Sequence, residues 1–406
     1  MSVALLKSME ESVRMHSKSS DMKNHLSFLI SRLLKLLCVI GLLITTHGVA
    51  ATGKKPLKVF VLVGQSNMQG HAKITTMEHI GMDPMTAPWL RDLQDRKGSP
   101  KVFNDVQMSY LSTKGLKEGA LTVGFGADET KIGPELAFGM SLGKQFNEPI
   151  LIIKAAWGGK SLYSDFRPPS AGVYKGNEKE SGHYYRLTIA HVKDVLANIS
   201  RVYPDYKKSQ GYDLAGLVWF QGWNDMVNRN VYPNRDKKGG YSDYSKVMAQ
   251  FIRDIRKDLS TPNLPFVIGV MGAGGPTNKY EGGQKRYAAI HQNFRDAMAA
   301  PAAMSEFTGN VTAVLTEKYW DAELTDLKLR DGNVSRKLKK IQSEEKLKGA
   351  AVQILRKKLR KSEFTKLELK KLQIGISNAE FHYLGSGKVM AGIGIGFADA
   401  ILKFRR

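Results

Sequence analysis

The sequence predicts a three-layer α/β/α sandwich: a parallel sheet of about five strands with helices on both faces. Three observations predict it. Strand-length apolar runs recur along the chain and are continuous rather than alternating, as strands buried on both faces require. Helical patterns separate these runs, and alternating strands and helices imply a parallel sheet. The chain has 406 residues, 42% hydrophobic and 24% charged, which is ordinary for a globular protein and enough for a large core.

Residues 1–51 read as an address rather than as fold. Leu36–Thr46 is a short apolar run preceded by Arg32 and Lys35 and followed by the small residues Gly48-Val49-Ala50-Ala51. That order makes a secretory signal peptide, with cleavage near Ala51. The stretch before Met22 is long and polar for a leader, so Met22-Lys23-Asn24 is the more natural start. Cys38, the single cysteine, lies in the apolar run after Leu37, where a lipid-anchoring cysteine would follow a small residue. Its removal leaves a mature chain held by core packing without disulfides. No apolar stretch reaches the roughly 18 residues of a membrane span. The expected location is secreted or periplasmic, with no membrane attachment after cleavage.

The strands follow in order: Leu57–Val63, Pro149–Ala155, Leu214–Phe220, Pro265–Met271 and Val311–Leu315. Helices are expected over Pro134–Phe146, which opens with a first-turn proline, and over Tyr184–Tyr203, Tyr241–Leu259, Gln284–Ala300 and Gly385–Leu402. The body spans residues 57–402. Two regions interrupt the alternation. His71–Gly133 is rich in Gly and Met with weak periodicity and reads as loops near the site. Lys328–Lys371 carries sixteen Lys and Arg against five Asp and Glu, a large part of the chain's net charge of +23. Its Leu338, Ile341, Leu347, Ile354, Leu355 and Leu359 recur at near-helical spacing and predict a basic helical hairpin inserted in the body.

The chemistry-bearing residues cluster at strand ends. The first strand runs into Gly64-Gln65-Ser66-Asn67-Met68, and sites in open parallel sheets form at the carboxyl ends of strands. A serine hydroxyl there is a nucleophile if a base takes its proton. The second strand runs into Trp157-Gly158-Gly159, and the third into Gln221-Gly222-Trp223-Asn224-Asp225. Glycine N–H groups and an asparagine amide are the donors that acyl transfer needs around a developing oxyanion. His382, in Phe381-His382-Tyr383-Leu384-Gly385 before the last helix, is the natural base, with His71 as its rival. Gln65, Gln221, Trp157 and Trp223 are candidate substrate contacts, although aromatic residues flanking strands often belong to the core. No metal-ligand spacing stands out.

GQSNM, the glycines after the second strand, the WFQGWND block and the late histidine together resemble the SGNH hydrolases, and more closely the sialate O-acetylesterase-type branch that includes carbohydrate acetylesterases. The resemblance implies a flavodoxin-like fold, Ser66 as nucleophile, and His382 as base. It also implies an oxyanion hole from the Ser66 N–H, a Gly158 or Gly159 N–H (Gly159 is favoured) and the Asn224 side chain, with no metal or organic cofactor. The implied reaction is removal of O-acetyl groups from a carbohydrate through an acyl-enzyme. Two positions depart from the family pattern. Ala379 stands where many members carry an Asp three residues before the histidine, leaving Glu380, Asp225, a loop acid such as Asp321, or a backbone carbonyl to orient the ring. Trp223 stands where close relatives often carry Glu.

Two other readings use the same residues. A non-catalytic carbohydrate binder on this fold would bind glycans without turnover and leave Ser66 unlabelled by a fluorophosphonate. An anionic-polymer binder is suggested by runs such as Arg356-Lys357-Lys358-Leu359-Arg360-Lys361. Such a run is more often a solvated helical face, and export speaks against nucleic acid as the partner; a compatible reading is that the segment steers an acidic polysaccharide toward the site.

Overall fold

β-Branched and aliphatic residues dominate Leu57–Gly64, and burial on both faces makes this run the centre of the sheet rather than its edge. The computed structural model describes residues 55–405, so the expected leader over residues 1–51, with Cys38 and the start at Met22, lies outside the described residues. The strands are β1 (Leu57–Gly64), β2 (Ala72–Lys73), β3 (Phe103–Ser112), β4 (Gly115–Leu121), β5 (Lys131–Ile132), β6 (Ile150–Ala156), β7 (Tyr212–Phe220), β8 (Phe266–Val270) and β9 (Val311–Leu315). Seven of them form one sheet in the order β4-β3-β6-β1-β7-β8-β9, and β2 pairs with β5 apart from it. All neighbours in the large sheet are parallel except β3 and β4. The five strands expected from sequence are all present.

The main difference lies in residues 71–133. They are not chiefly loops: β3 and β4 form a hairpin that widens the sheet to seven strands. The antiparallel edge strand β4 is largely exposed or half-buried and carries Lys117 and Glu118, so it lacks the continuous apolar run of an inner strand.

The main helices are α1 (Ser66–Gln69), α2 (Pro134–Gly143), α3 (His183–Ala197), α4 (Trp223–Val227), α5 (Ser242–Asp258), α6 (Ala288–Ala299), α7 (Ala322–Glu344), α8 (Ala350–Glu363), α9 (Lys366–Gly375) and α10 (Gly387–Lys403). Adjacent strand residues point to opposite faces, and β7 shows the layering. Phe220 meets Phe397 of α10 at 5.3 Å on one face, while Trp219 meets Phe251 of α5 at 4.4 Å on the other. α2 packs beside α10 under Phe60, whose ring lies 5.8 Å from Phe138. α3 and α6 join α5, through Tyr185 against Phe251 and Phe294 against Tyr244. No helix of the described residues is long and apolar enough to cross a membrane.

The basic segment forms three helices, α7 to α9, rather than a hairpin, and its helices reach beyond residues 328–371 at both ends. Thr365 explains the third: its side chain and that of Glu368 form a reciprocal capping box that restarts the helix after Phe364. Leu324, Leu327, Val334 and Phe364 make a small core of their own with Leu384. α8 has no buried residue, and Ile354 is 69% exposed. Both ends of the segment are held by the body. Asp321 caps α7 and lies 3.1 Å from Lys388 of α10. Ser377 accepts a bond from the Lys73 N–H at 3.0 Å and donates to the Gly385 carbonyl at 2.7 Å.

Candidate active site

The chain runs from β1 outward to β3, β4 and β6 on one side, then crosses to β7, β8 and β9 on the other. β1 is therefore the switch point, and in such sheets sites form at the carboxyl ends of the strands beside it, here β1, β6 and β7. These ends are level: Gly64 pairs with Ala156 on one side and Phe220 on the other. Gly64 is required there, because a Cβ would lie 2.1 Å from the Phe220 carbonyl oxygen. Ser66 follows as the first residue of α1 and is buried.

Gln65 ties the strand ends together. Its Oε1 accepts from Gln221 Nε2 at 3.1 Å, the Gly222 N–H at 3.0 Å and the Asn224 N–H at 3.4 Å. Its Nε2 donates to Asn224 Oδ1 at 3.1 Å and lies 3.5 Å from the Ser66 hydroxyl. With its oxygen held, Asn224 keeps its Nδ2 donors free. The Ser66, Gly158 and Gly159 N–H groups likewise have no hydrogen-bond partner among the described residues. Gly158 is the glycine set against the serine: a Cβ there would lie 3.9 Å from Ser66 Cβ and 3.0 Å from Gln69 Oε1. Gly159 takes a positive φ of 74° beside open space.

His382 sits in a tight turn. Tyr383 and Leu384 adopt left-handed φ values of 52° and 61°, which non-glycine residues rarely take. The turn is held by the N–H groups of Ser377 and Asn378 bonding to the Leu384 carbonyl, and by Tyr383 Oη accepting from the Gly272 N–H at 2.7 Å. Gly385 completes it, since a Cβ would lie 2.6 Å from Asn378 Cβ. This loop places Asn378 Oδ1 3.1 Å from His382 Nδ1. His71 stacks on the His382 ring at 4.0 Å with planes 2° apart. Burial, then Lys131, lower His382 to about 4; burial, then His382 and Lys131, lower His71 to about 3. Both rings are neutral at pH 7.

The His382 turn packs against α1. Phe381 lies 5.5 Å from Trp223, the neighbour of Asn224, so the imidazole and the serine share one edge. No hydrogen bond joins Ser66 Oγ to the His382 ring, a contact that often closes only around substrate. Beside this edge lies a cavity of about 440 Å³, lined by Trp223, Phe381, Glu380, Tyr280, Tyr287, His291, Arg229 and Arg235 among others. Ser66 is not among its lining residues.

Several candidates have other tasks. Asp225 is fully buried and accepts from the N–H groups of Leu162 and Tyr163, from Gln221 and from Tyr232. It braces the loop after β6 instead of meeting His382, and burial raises it to about 6. Glu380 lies 3.4 Å from Lys328, and Asp321 caps α7, so neither reaches the imidazole. Gln65 and Gln221 are buried with their amides engaged by the protein, which makes them positioning residues rather than substrate contacts. Trp157 is core, packed on Tyr184 at 5.0 Å. Trp223 remains at the cavity wall. Sequence reasoning missed Asn378, one residue from the expected carboxylate position. It also missed the buried pair below α1: Lys154 Nζ donates to the Gln69 and Phe125 carbonyls and to Glu135 Oε2 at 2.8 Å.

The fold is a mostly parallel seven-stranded sheet flanked by helices. The chain belongs to the carbohydrate esterase family of sialic acid-specific acetylesterases, whose model matches residues 56–306 and so ends before His382. Among solved structures it is similar to a protein of Arabidopsis thaliana, at 18% identity over 64% of this chain and 86% of that one, with a TM-score of 0.39. It is also similar to a carbohydrate acetylesterase from Xanthomonas citri, at 14% identity over 63% of this chain and 49% of that one, with a TM-score of 0.37. It thus matches about half the length of the latter. No curated protein matches the sequence.

Proposed function

We propose that the protein is an exported serine esterase that removes O-acetyl groups from a carbohydrate. One observation supports the reading: at three adjoining strand ends the Ser66, Gly158 and Gly159 N–H groups have no partner among the described residues, and Gln65 holds Asn224 Oδ1 so that the amide's donors stay available. Ser66 Oγ attacks the acetyl carbonyl as the His382 ring takes its proton. The developing oxyanion is met by the Ser66 N–H, a Gly158 or Gly159 N–H and Asn224 Nδ2. The ring returns the proton to the departing sugar oxygen, and water repeats the cycle to release acetate. Trp223, Phe381 and Tyr287 offer ring faces for a sugar, and Arg229 and Arg235 favour an acidic one. The sixteen bases of residues 328–371 add to that preference, and the leader expected over residues 1–51 supports export.

The test is hydrolysis of p-nitrophenyl acetate by the protein and by Ser66→Ala and His382→Ala, with fluorophosphonate labelling of Ser66. Turnover lost in both variants and labelling lost in Ser66→Ala are expected. Equal turnover in all three proteins would sink the esterase reading, and glycan binding without labelling would favour a non-catalytic binder.

A further inference from the structure

We propose that Asn378 is the positioning residue of His382: its side-chain oxygen accepts the Nδ1 proton and locks the imidazole in the tautomer whose Nε2 lone pair is free to act as base. The inference rests on the Ser66–His382 reading above and fills the place left by Ala379.

The argument is one of donors and acceptors. An amide has an oxygen that only accepts and a nitrogen that only donates, and the two have nearly the same shape. Here the backbone N–H of Ala379 points at Asn378 Oδ1 from 2.7 Å. A backbone N–H can only donate, so that atom is the oxygen. The oxygen has no proton to offer, so its 3.1 Å contact with His382 Nδ1 requires a proton on Nδ1. A neutral imidazole carries one proton, which leaves Nε2 bare. The tight turn enforces this arrangement: the N–H groups of His382 and Leu384 both bond to the Ala379 carbonyl, each at 3.1 Å. His71 fixes the ring plane from its face.

The proton balance follows. Ser66 Oγ forms its bond to the acetyl carbon while its proton moves to Nε2. The imidazolium keeps its Nδ1–H on Asn378. Nε2 then gives its proton to the sugar oxygen as the carbon–oxygen bond breaks. Unlike a carboxylate, the amide adds no countercharge to the imidazolium. The other groups around the ring supply little: His71 is neutral, Lys131 is cationic and lies 2.7 Å from Asp128, Phe381 packs edge-on, and Glu380 is drawn to Lys328. The enzyme therefore works with a base that stays unprotonated into acid.

The experiment reads the ring directly. In protein labelled with ¹⁵N-histidine, the His382 signals are assigned by their loss in His382→Gln. The expected spectrum has Nδ1 protonated and Nε2 bare in the wild type and in Asn378→Asp, with Nε2–H appearing in Asn378→Ala. On p-nitrophenyl acetate, Asn378→Ala is expected to lower kcat about tenfold or more with KM little changed. Asn378→Asp is expected to restore kcat and to raise the acid limb of kcat/KM by about one pH unit or more. An Nε2–H ring in the wild type, or an unchanged ring and kcat in Asn378→Ala, would overturn the assignment. Absence of wild-type turnover would defeat the esterase reading alone, because the ring spectrum decides the tautomer without it.

Discussion

At position 65 a single buried amide fixes the ends of β1 and β7 and turns Asn224. Gln65→Leu should leave the buried Gly222 N–H unpaired, costing about 1–3 kcal/mol, while Gln221 keeps its bonds to Asp225 and the Lys160 carbonyl. Releasing Asn224 should lower kcat by about 100-fold, the low end for a lost oxyanion donor. Thermal melts and p-nitrophenyl acetate kinetics check both, and an unchanged kcat would detach Gln65 from the donor set. Gly158→Ala should lower kcat with little change in melting temperature, since its Cβ meets Gln69 Oε1 and Ser66 Cβ rather than backbone. Ser66, Asn224 and His382 are legible in sequence because each follows a strand or precedes a helix in a recognisable block. Asn378 is not, because nothing in the residue string says which of positions 378, 379 and 380 turns toward the ring. That choice is made by left-handed backbone at Tyr383 and Leu384, residues that rarely adopt it.

Strand β6 holds Lys154 with no exposed side-chain surface, bonded under α1 to the Gln69 carbonyl and paired with Glu135 of α2. Burial lowers the lysine's proton affinity and Glu135 opposes that shift. Lys154→Met or Glu135→Leu alone should destabilise by about 3–5 kcal/mol by stranding the other charge, while the double replacement should recover much of it. Denaturant unfolding of the three variants decides it; equal and additive losses would contradict the pairing. The inner strands β1, β6, β7 and β8 are legible because two-sided burial writes a continuous apolar run. β3 and β4 are not, because strands near an open edge carry Asn104, Asp105, Lys117 and Glu118, whose polarity resembles that of a loop. The basic helices were foreseen by periodicity. Their number was not, because the Thr365 cap that divides α8 from α9 is a local signal inside a uniformly charged stretch.

Across the molecule, buried histidines set the response to acid. His71 is lowered to about 3, and His382 and His291 to about 4, each chiefly by burial. The unfolded chain takes up protons at these rings near pH 6.5 and the folded chain does not, so their contribution is full above 6.5 and is lost as pH falls toward 4. Asp225, raised to about 6, acts with the opposite sign: its contribution is present below about 3.8 and fades as pH rises through 6. Burial lowers His79 and His191 in the same direction, and five rings against one raised carboxylate predict a melting temperature lower at pH 5 than at pH 7.5; a flat profile by calorimetry would contradict this. The exposed bases of α8 predict binding to a sulfated or uronic glycan that weakens as salt rises. Charge reversal of Lys357, Lys358 and Lys361 should abolish that binding and leave p-nitrophenyl acetate hydrolysis unchanged. The chain departs for this three-helix excursion at Asp321, gripped by Lys388, and returns at Ser377, gripped by Lys73 and Gly385. Between these stumps Leu324, Leu327, Val334 and Phe364 pack on Leu384, two residues after His382, so the inner part of the excursion also supports that turn. The outer helix α8, which buries no residue, is the part that could be lengthened or recharged to suit a new polymer without moving the loop beneath it.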